Sequence, residues 1–181
     1  GVDRILTDKR MQMASEMLYC QAKALDGTRL VSVNDGWEQT RTDVYGLHDY
    51  AAYGNILAAH FADAHTLDKG SNDHRLCRAE GYPRRENEAL LVTEYGGIAF
   101  ADGDDQSWGY HDKVRDEEAF FARYESLQKA MFEIPGCQGY CYTQLTDVQQ
   151  ETNGLLTPDR KPKVDPERFA SLTTNPPTRY V

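Results

Sequence analysis

The sequence predicts a parallel α/β fold built from successive β/α units, with as many strands as half of a closed barrel. Three observations carry that prediction. Short apolar, charge-free runs alternate with segments whose apolar residues recur at helical spacing. Each run is followed by polar, aromatic or acidic residues. No glycine-rich phosphate fingerprint follows any strand, which disfavours a doubly wound nucleotide-binding sheet. Four strand candidates are half of the eight that a closed β/α barrel needs, and such a barrel typically runs to about 250 residues.

The elements follow in order. Residues 8–25 carry Met11, Ala14, Leu18, Ala22 and Leu25 at helical spacing, with Gly27 as the expected C-terminal cap. Arg29-Leu30-Val31-Ser32-Val33 is the first strand candidate, ending in Asn34-Asp35-Gly36-Trp37-Glu38. Val44-Tyr45-Gly46-Leu47 is the second, ending in His48-Asp49-Tyr50. An alanine-rich helix using Ile56, Leu57, Phe61 and Ala64 comes next, and the turn-rich segment 68–87 is expected to be a surface excursion.

Leu90-Leu91-Val92 is the third strand, and 101–115 reads as a loop carrying Trp108 and Tyr110. Asp116 is a helix N-cap, with Phe120, Tyr124, Leu127 and Met131 on one face and Pro135-Gly136 as the stop. Residues 138–143 form the fourth strand, and 144–153 a polar loop. Asp165 and Pro166 open a final short helix with Phe169 and Leu172.

Composition narrows the function classes. At 181 residues the chain is one domain by length, with 40% hydrophobic, 27% charged and 10% aromatic residues. A net charge of −9 without a basic cluster argues against nucleic acid as a partner. No apolar run approaches membrane-spanning length. Cys20, Cys77, Cys137 and Cys141 lack paired CxxC spacing and read as free thiols, which favours a reducing, cytoplasmic setting. His60, His65, His74 and Cys77 match no standard zinc spacing and read as surface residues, so neither metal nor cofactor is expected.

The chemistry centres on Leu90-Leu91-Val92-Thr93-Glu94-Tyr95-Gly96-Gly97. A buried strand here delivers a carboxylate, Glu94, and breaks into a Gly-Gly turn. Burying a carboxylate is costly unless it is hydrogen-bonded or has chemistry to perform. Parallel α/β folds present their chemistry at the carboxyl ends of strands.

Several motifs in fixed order extend the pattern: Asn34-Asp35-Gly36-Trp37-Glu38, His48-Asp49-Tyr50, Thr93-Glu94-Tyr95-Gly96-Gly97 and Tyr142-Thr143-Gln144-Leu145-Thr146-Asp147. With Asn153-Gly154-Leu155-Leu156 and Asp159-Arg160-Lys161-Pro162, they resemble the C-terminal half of the TIM-barrel catalytic domain of glycoside hydrolase family 2. That family includes β-galactosidases, β-glucuronidases and β-mannosidases. The resemblance covers nearly all of residues 1–181, which would supply strands five to eight of a (β/α)₈ barrel.

It implies a retaining β-glycosidase with Glu94 as nucleophile, acting on a carbohydrate through a covalent glycosyl-enzyme intermediate. Its partner, a general acid/base Glu after strand four, would lie upstream of Gly1, in an N-terminal half that these residues do not include. Such an enzyme needs two carboxyl groups about 5–5.5 Å apart. Within the chain, Glu38 is the candidate to partner Glu94 if these residues were active alone. Tyr50 matches a tyrosine that donates to the nucleophile in this family, and a phenol bonded to the charged carboxylate favours its ionised form.

The resemblance makes Asp35, Trp37, Glu38, His48 and Asp49 strand-end substrate contacts. Trp108 would wall the pocket, while Tyr142 and Gln144 would form a platform for the sugar ring. A structural role competes for each of these: a rim or core aromatic, or an orienting hydrogen bond. The alternative for the whole chain is a non-catalytic carbohydrate-binding or assembly module. Open strand edges on a half-barrel also lead us to expect a homo-oligomer, which sedimentation at micromolar concentration tests.

Overall fold

The computed structural model describes residues 4–36, 38–62, 78–85, 87–100 and 107–174. Its elements are α1 (Lys9–Leu25), β1 (Val44–Asp49), α2 (Gly54–His60), β2 (Ala89–Gly96), α3 (Glu117–Glu133), β3 (Cys137–Thr143) and α4 (Pro166–Thr174). The strands form one three-stranded parallel sheet in the order β1-β2-β3. Neighbouring strands are consecutive in sequence and separated by a helix, which is the β/α arrangement expected. No described helix is long and apolar enough to cross a membrane.

Two compact units make up the chain. One comprises residues 1–49, 60–94 and 135–141; the other comprises 50–59, 95–134 and 142–181. In the first, Tyr45, Leu47, Leu90 and Val92 are buried on the strands. Five of the six β1 residues are buried, as in a parallel strand covered on both faces.

In the second unit, α3 behaves as its local signals require. Asp116 accepts a hydrogen bond from the Ala119 amide at 2.7 Å, and Glu117 and Glu118 sit in the positive first turn. Phe120, Tyr124, Leu127 and Met131 are buried, joined by Phe121 and Ala130. Tyr124 stacks on Phe169 of α4 at 4.5 Å and meets Thr173 through its hydroxyl at 2.8 Å. Asp165 caps α4 through the Glu167 amide at 2.9 Å.

Four expectations need correction. Arg29–Val33 is not a strand. The Val31 amide donates to the Asp43 carboxylate at 3.1 Å, and its carbonyl accepts from the Asp43 amide at 2.9 Å and the Thr42 hydroxyl at 3.0 Å. With its backbone tied to the loop before β1, the segment has no ladder to join, and Leu30 is exposed.

Helix α1 forms, but it turns a different face inward. Gln12, Ser15 and Tyr19 are buried, while Leu18 and Leu25 are exposed, along with Met13 and Met17. Each buried polar group has a definite partner: Gln12 Nε2 donates to the Ile5 carbonyl at 2.8 Å, Ser15 meets Thr40 at 2.7 Å, and the Tyr19 hydroxyl donates to Asp43 at 2.6 Å. Satisfied hydrogen bonds therefore decide the face over hydropathy. The helix also ends one residue earlier than Gly27, at an extended Asp26 whose amide donates to Ala22.

Within the segment 68–87, Glu80, Gly81, Pro83, Arg85 and Asn87 are exposed, but two residues depart from a surface excursion. Arg78 and Ala79 are buried, and Arg78 donates to the Thr40 carbonyl at 2.6 Å and to buried Glu88. Finally, His60 is not a surface residue: it is buried and its Nδ1 lies 2.8 Å from Asp49 Oδ2. His65, His74 and Cys77 lie outside the described residues.

Asp43 gathers the loops of the first unit, and this makes a pH prediction. Burial raises its pKa, but bonds from Tyr19, Lys23 and the Val31 amide lower it and prevail, so the carboxyl stays below its ordinary value of 3.8. A depressed folded-state pKa contributes stability above the ordinary value, which is lost as pH falls through the folded-state pKa. Urea midpoints of the native chain should therefore fall below about pH 4. In Asp43→Asn that acid limb should flatten, and an unchanged limb would contradict the assignment.

Candidate active site at the end of the second strand

Strand β2 delivers Glu94 near its carboxyl end, and backbone geometry then changes sharply. Gly96 and Gly97 have φ of +93° and +63°, in the left-handed region that favours glycine. A Cβ at Gly96 would stand 2.3 Å from the Tyr142 ring, and one at Gly97 equally close to Tyr110. The Gly-Gly turn is thus required by both torsion and space.

Two residues of the first unit gather at Glu94. His48, on β1, has its Nδ1 3.6 Å from Glu94 Oε2, and its Nε2 is 3.2 Å from Asp35 Oδ2. The His48 side chain is only 7% exposed, against 36% for Glu94 and 50% for Asp35. Two glycines make room for this cluster. Gly36 has φ of +71°, and a Cβ there would fall 2.0 Å from the His48 ring. A Cβ at Gly46, within β1, would lie 2.7 Å from Asp35 Oδ1. Glycine inside a strand marks a close approach of this kind.

Asp35 is held ionised. The hydrogen bond from His48 lowers its pKa most; burial opposes this, and a bond from Thr93 adds to the lowering. Asp35, His48 and Glu94 each offer one ligand atom within 4.8 Å of the others, a spacing that a cation could bridge. Carboxylates this exposed show such spacing commonly without an ion.

The other sequence-derived candidates are distributed differently. Glu38 accepts the Leu6 amide at 2.8 Å, so its carboxylate anchors the segment entering α1. The neighbouring loop is closed by Asn34 donating to the Glu38 carbonyl at 2.7 Å. Asp49 is buried against His60, which makes it a packing pair and not an open sugar contact. Trp37 lies outside the described residues.

In the second unit, Tyr50 stacks face to face on Tyr110, with centroids 3.5 Å apart and an interplanar angle of 1°. Trp108 meets Tyr110 edge-on at 5.9 Å and is 47% exposed. Together these rings form a partly exposed aromatic group. Tyr110, two residues after Trp108 in the same loop, joins the predicted site residues here.

Tyr142 is placed otherwise. Its ring packs edge-on against Tyr95, Tyr124 and Phe169 at 5.5–5.9 Å, and burial pushes its hydroxyl pKa upward. Tyr142 thus belongs to an aromatic cluster of the second unit and is itself half-buried. Gln144 exchanges backbone bonds with Asn153 and Leu155, and its buried side-chain amide nitrogen finds no acceptor among the described residues.

Comparison with known proteins places this architecture. No family model matches the chain, and no curated protein does. Solved structures do match. A GH2 β-galacturonidase from Eisenbergiella tayi aligns over 93% of this chain and 31% of its own, with TM-score 0.63 and 18% identity. A β-glucuronidase from an uncultured Clostridium species aligns over 93% of this chain and 30% of its own, at TM-score 0.60 and 18% identity. A Bacteroides uniformis β-glucuronidase aligns over 86% and 19%, at 0.55 and 15%. The chain thus shares the fold of a region of these glycoside hydrolases, and it spans under a third of their length.

Proposed function

We propose that this chain is the nucleophile-bearing part of a retaining β-glycosidase of glycoside hydrolase family 2, corresponding to strands five to eight of its (β/α)₈ barrel. The observation that carries the reading is the fold match to a GH2 β-galacturonidase and two β-glucuronidases over 86–93% of the chain. Glu94 sits near the carboxyl end of a parallel strand in the matched fold, where active sites of β/α barrels lie.

In the reaction, a Glu94 carboxylate oxygen attacks the anomeric carbon as the glycosidic C–O bond breaks. A protonated carboxyl on the other side of that bond donates its proton to the leaving oxygen. The resulting glycosyl ester is then hydrolysed by water, which the second group deprotonates. Neither Asp35 nor Glu38 suits the acid role. Asp35 is kept ionised by His48 and Thr93, whereas a general acid needs a raised pKa. Glu38 is committed to the Leu6 amide. The family pattern implies an acid/base Glu upstream of these residues.

The test is stereochemical. The full-length protein containing this chain should hydrolyse an aryl β-glycoside or β-glycuronide from a panel covering both classes. NMR of the first-formed sugar should show the β anomer. First formation of the α anomer would exclude a covalent intermediate on Glu94, and absence of turnover on the whole panel would favour the non-catalytic module.

A further inference from the structure

We infer that the outward face of α1 is a docking surface, covered by the chain that precedes Gly1 in the full-length protein. This rests on the reading of residues 1–181 as part of a longer glycosidase. Helix α1 is amphipathic in reverse. Its inward face is polar, with Gln12, Ser15 and Tyr19 buried on hydrogen bonds. Its outward face is apolar: Met13, Met17, Leu18 and Leu25 are 56–82% exposed, with exposed Ala14 and Ala24 between them. At about 100° per residue these six positions share one side of the helix. From Met13 to Leu25 that side carries no charged residue.

Apolar residues scattered singly over a surface need no partner, but a contiguous apolar stripe marks a surface that something covers. Helices α3 and α4 show the usual arrangement, with no large apolar side chain exposed on either among the described residues. Met13 and Met17 suit a docking face, because an unbranched thioether adapts to an irregular neighbour.

The occupant follows from length and attachment. The region matched here is only 31% of the β-galacturonidase and 30% of the Clostridium β-glucuronidase. Chain preceding Gly1 would join α1 through residues 1–8, since the helix begins at Lys9. A segment tethered that closely acts at an effective concentration on the order of millimolar. A second copy at micromolar concentration competes poorly with it.

Photo-methionine incorporated into the full-length protein tests this, because on irradiation its diazirine loses N₂ and the carbene inserts into whatever it touches. Met13 and Met17 should cross-link within one chain, to peptides upstream of Gly1. Cross-links to a second copy, to other residues of 1–181, or insertion into water alone would overturn the inference. If the substituted protein does not fold, peroxide oxidation of the native full-length protein serves instead. Met13 and Met17 should then form sulfoxide at least about tenfold more slowly than free methionine at every protein concentration. The free-methionine rate, or protection lost on dilution, would overturn the inference. A 2-fluoroglycoside label on Glu94 alongside a bare α1 face sinks the docking surface alone. Label elsewhere sinks the reading beneath it.

Discussion

Replacing Glu94 by Gln in the full-length protein is expected to lower kcat by about 10⁴-fold or more. The amide has nearly the same size and still occupies the end of β2, but it cannot form a glycosyl ester. The first half of a double displacement is then closed, whatever the upstream acid/base does. Substrate affinity should change little, because binding groups elsewhere are untouched. Folding should also be nearly intact: Glu94 is 36% exposed, and polar contacts of groups this open to water contribute about 0–1 kcal/mol. A collapse of kcat without a fall in the urea midpoint thus separates chemistry from structure. Turnover within tenfold of native would remove Glu94 from the nucleophile role.

The largest stability effect is expected at Arg78. Its guanidinium donates to Glu88 and to the Thr40 carbonyl, and both side chains of the pair are almost fully buried. It also lies 5.1 Å over the Tyr45 ring. Breaking a buried pair by removing one partner leaves a charge in low dielectric and typically costs 3–5 kcal/mol. Arg85 also bonds Glu88, at 3.1 Å, but is itself half exposed and offsets only part of that loss. Arg78→Met should therefore destabilise the chain by about 3 kcal/mol in urea unfolding, with an unchanged slope. Arg78→Met with Glu88→Leu should recover much of it, because two well-packed apolar residues avoid the desolvation cost. A single variant as stable as native would show that Glu88 is adequately served without Arg78.

How much of this was legible in the sequence depends on the range of the forces involved. Helix α3 was fully legible, because the Asp116 cap, the apolar spacing and Pro135-Gly136 are all local. So was the β2 strand with its Glu94 and paired glycines. Helix α1 was misread in its orientation, because Gln12, Ser15 and Tyr19 are buried by partners that no hydropathy pattern reveals. The strand proposed at 29–33 failed for the same reason: Thr42 and Asp43 occupy its backbone.

At the site, the residues were named individually but not their grouping. His48 lies 13 residues from Asp35 and 46 from Glu94, and only the fold brings them together. Gly36 and Gly46 were the available signal, since each makes room for a neighbour in that cluster. Asp49 shows the converse: a residue type suited to sugar contact can be buried against a neighbour, here His60.

The central claim is that Glu94 forms the covalent bond to sugar. It is tested most directly by incubating the full-length protein with an activated 2-fluoro-β-glycoside of whichever sugar it hydrolyses. The fluorine slows breakdown of the glycosyl ester, so the labelled protein accumulates and can be digested and sequenced by mass spectrometry. The account predicts one sugar per chain, attached to Glu94 in the peptide containing Thr93-Glu94-Tyr95. Attachment at Asp35, Glu38 or any other residue would contradict it.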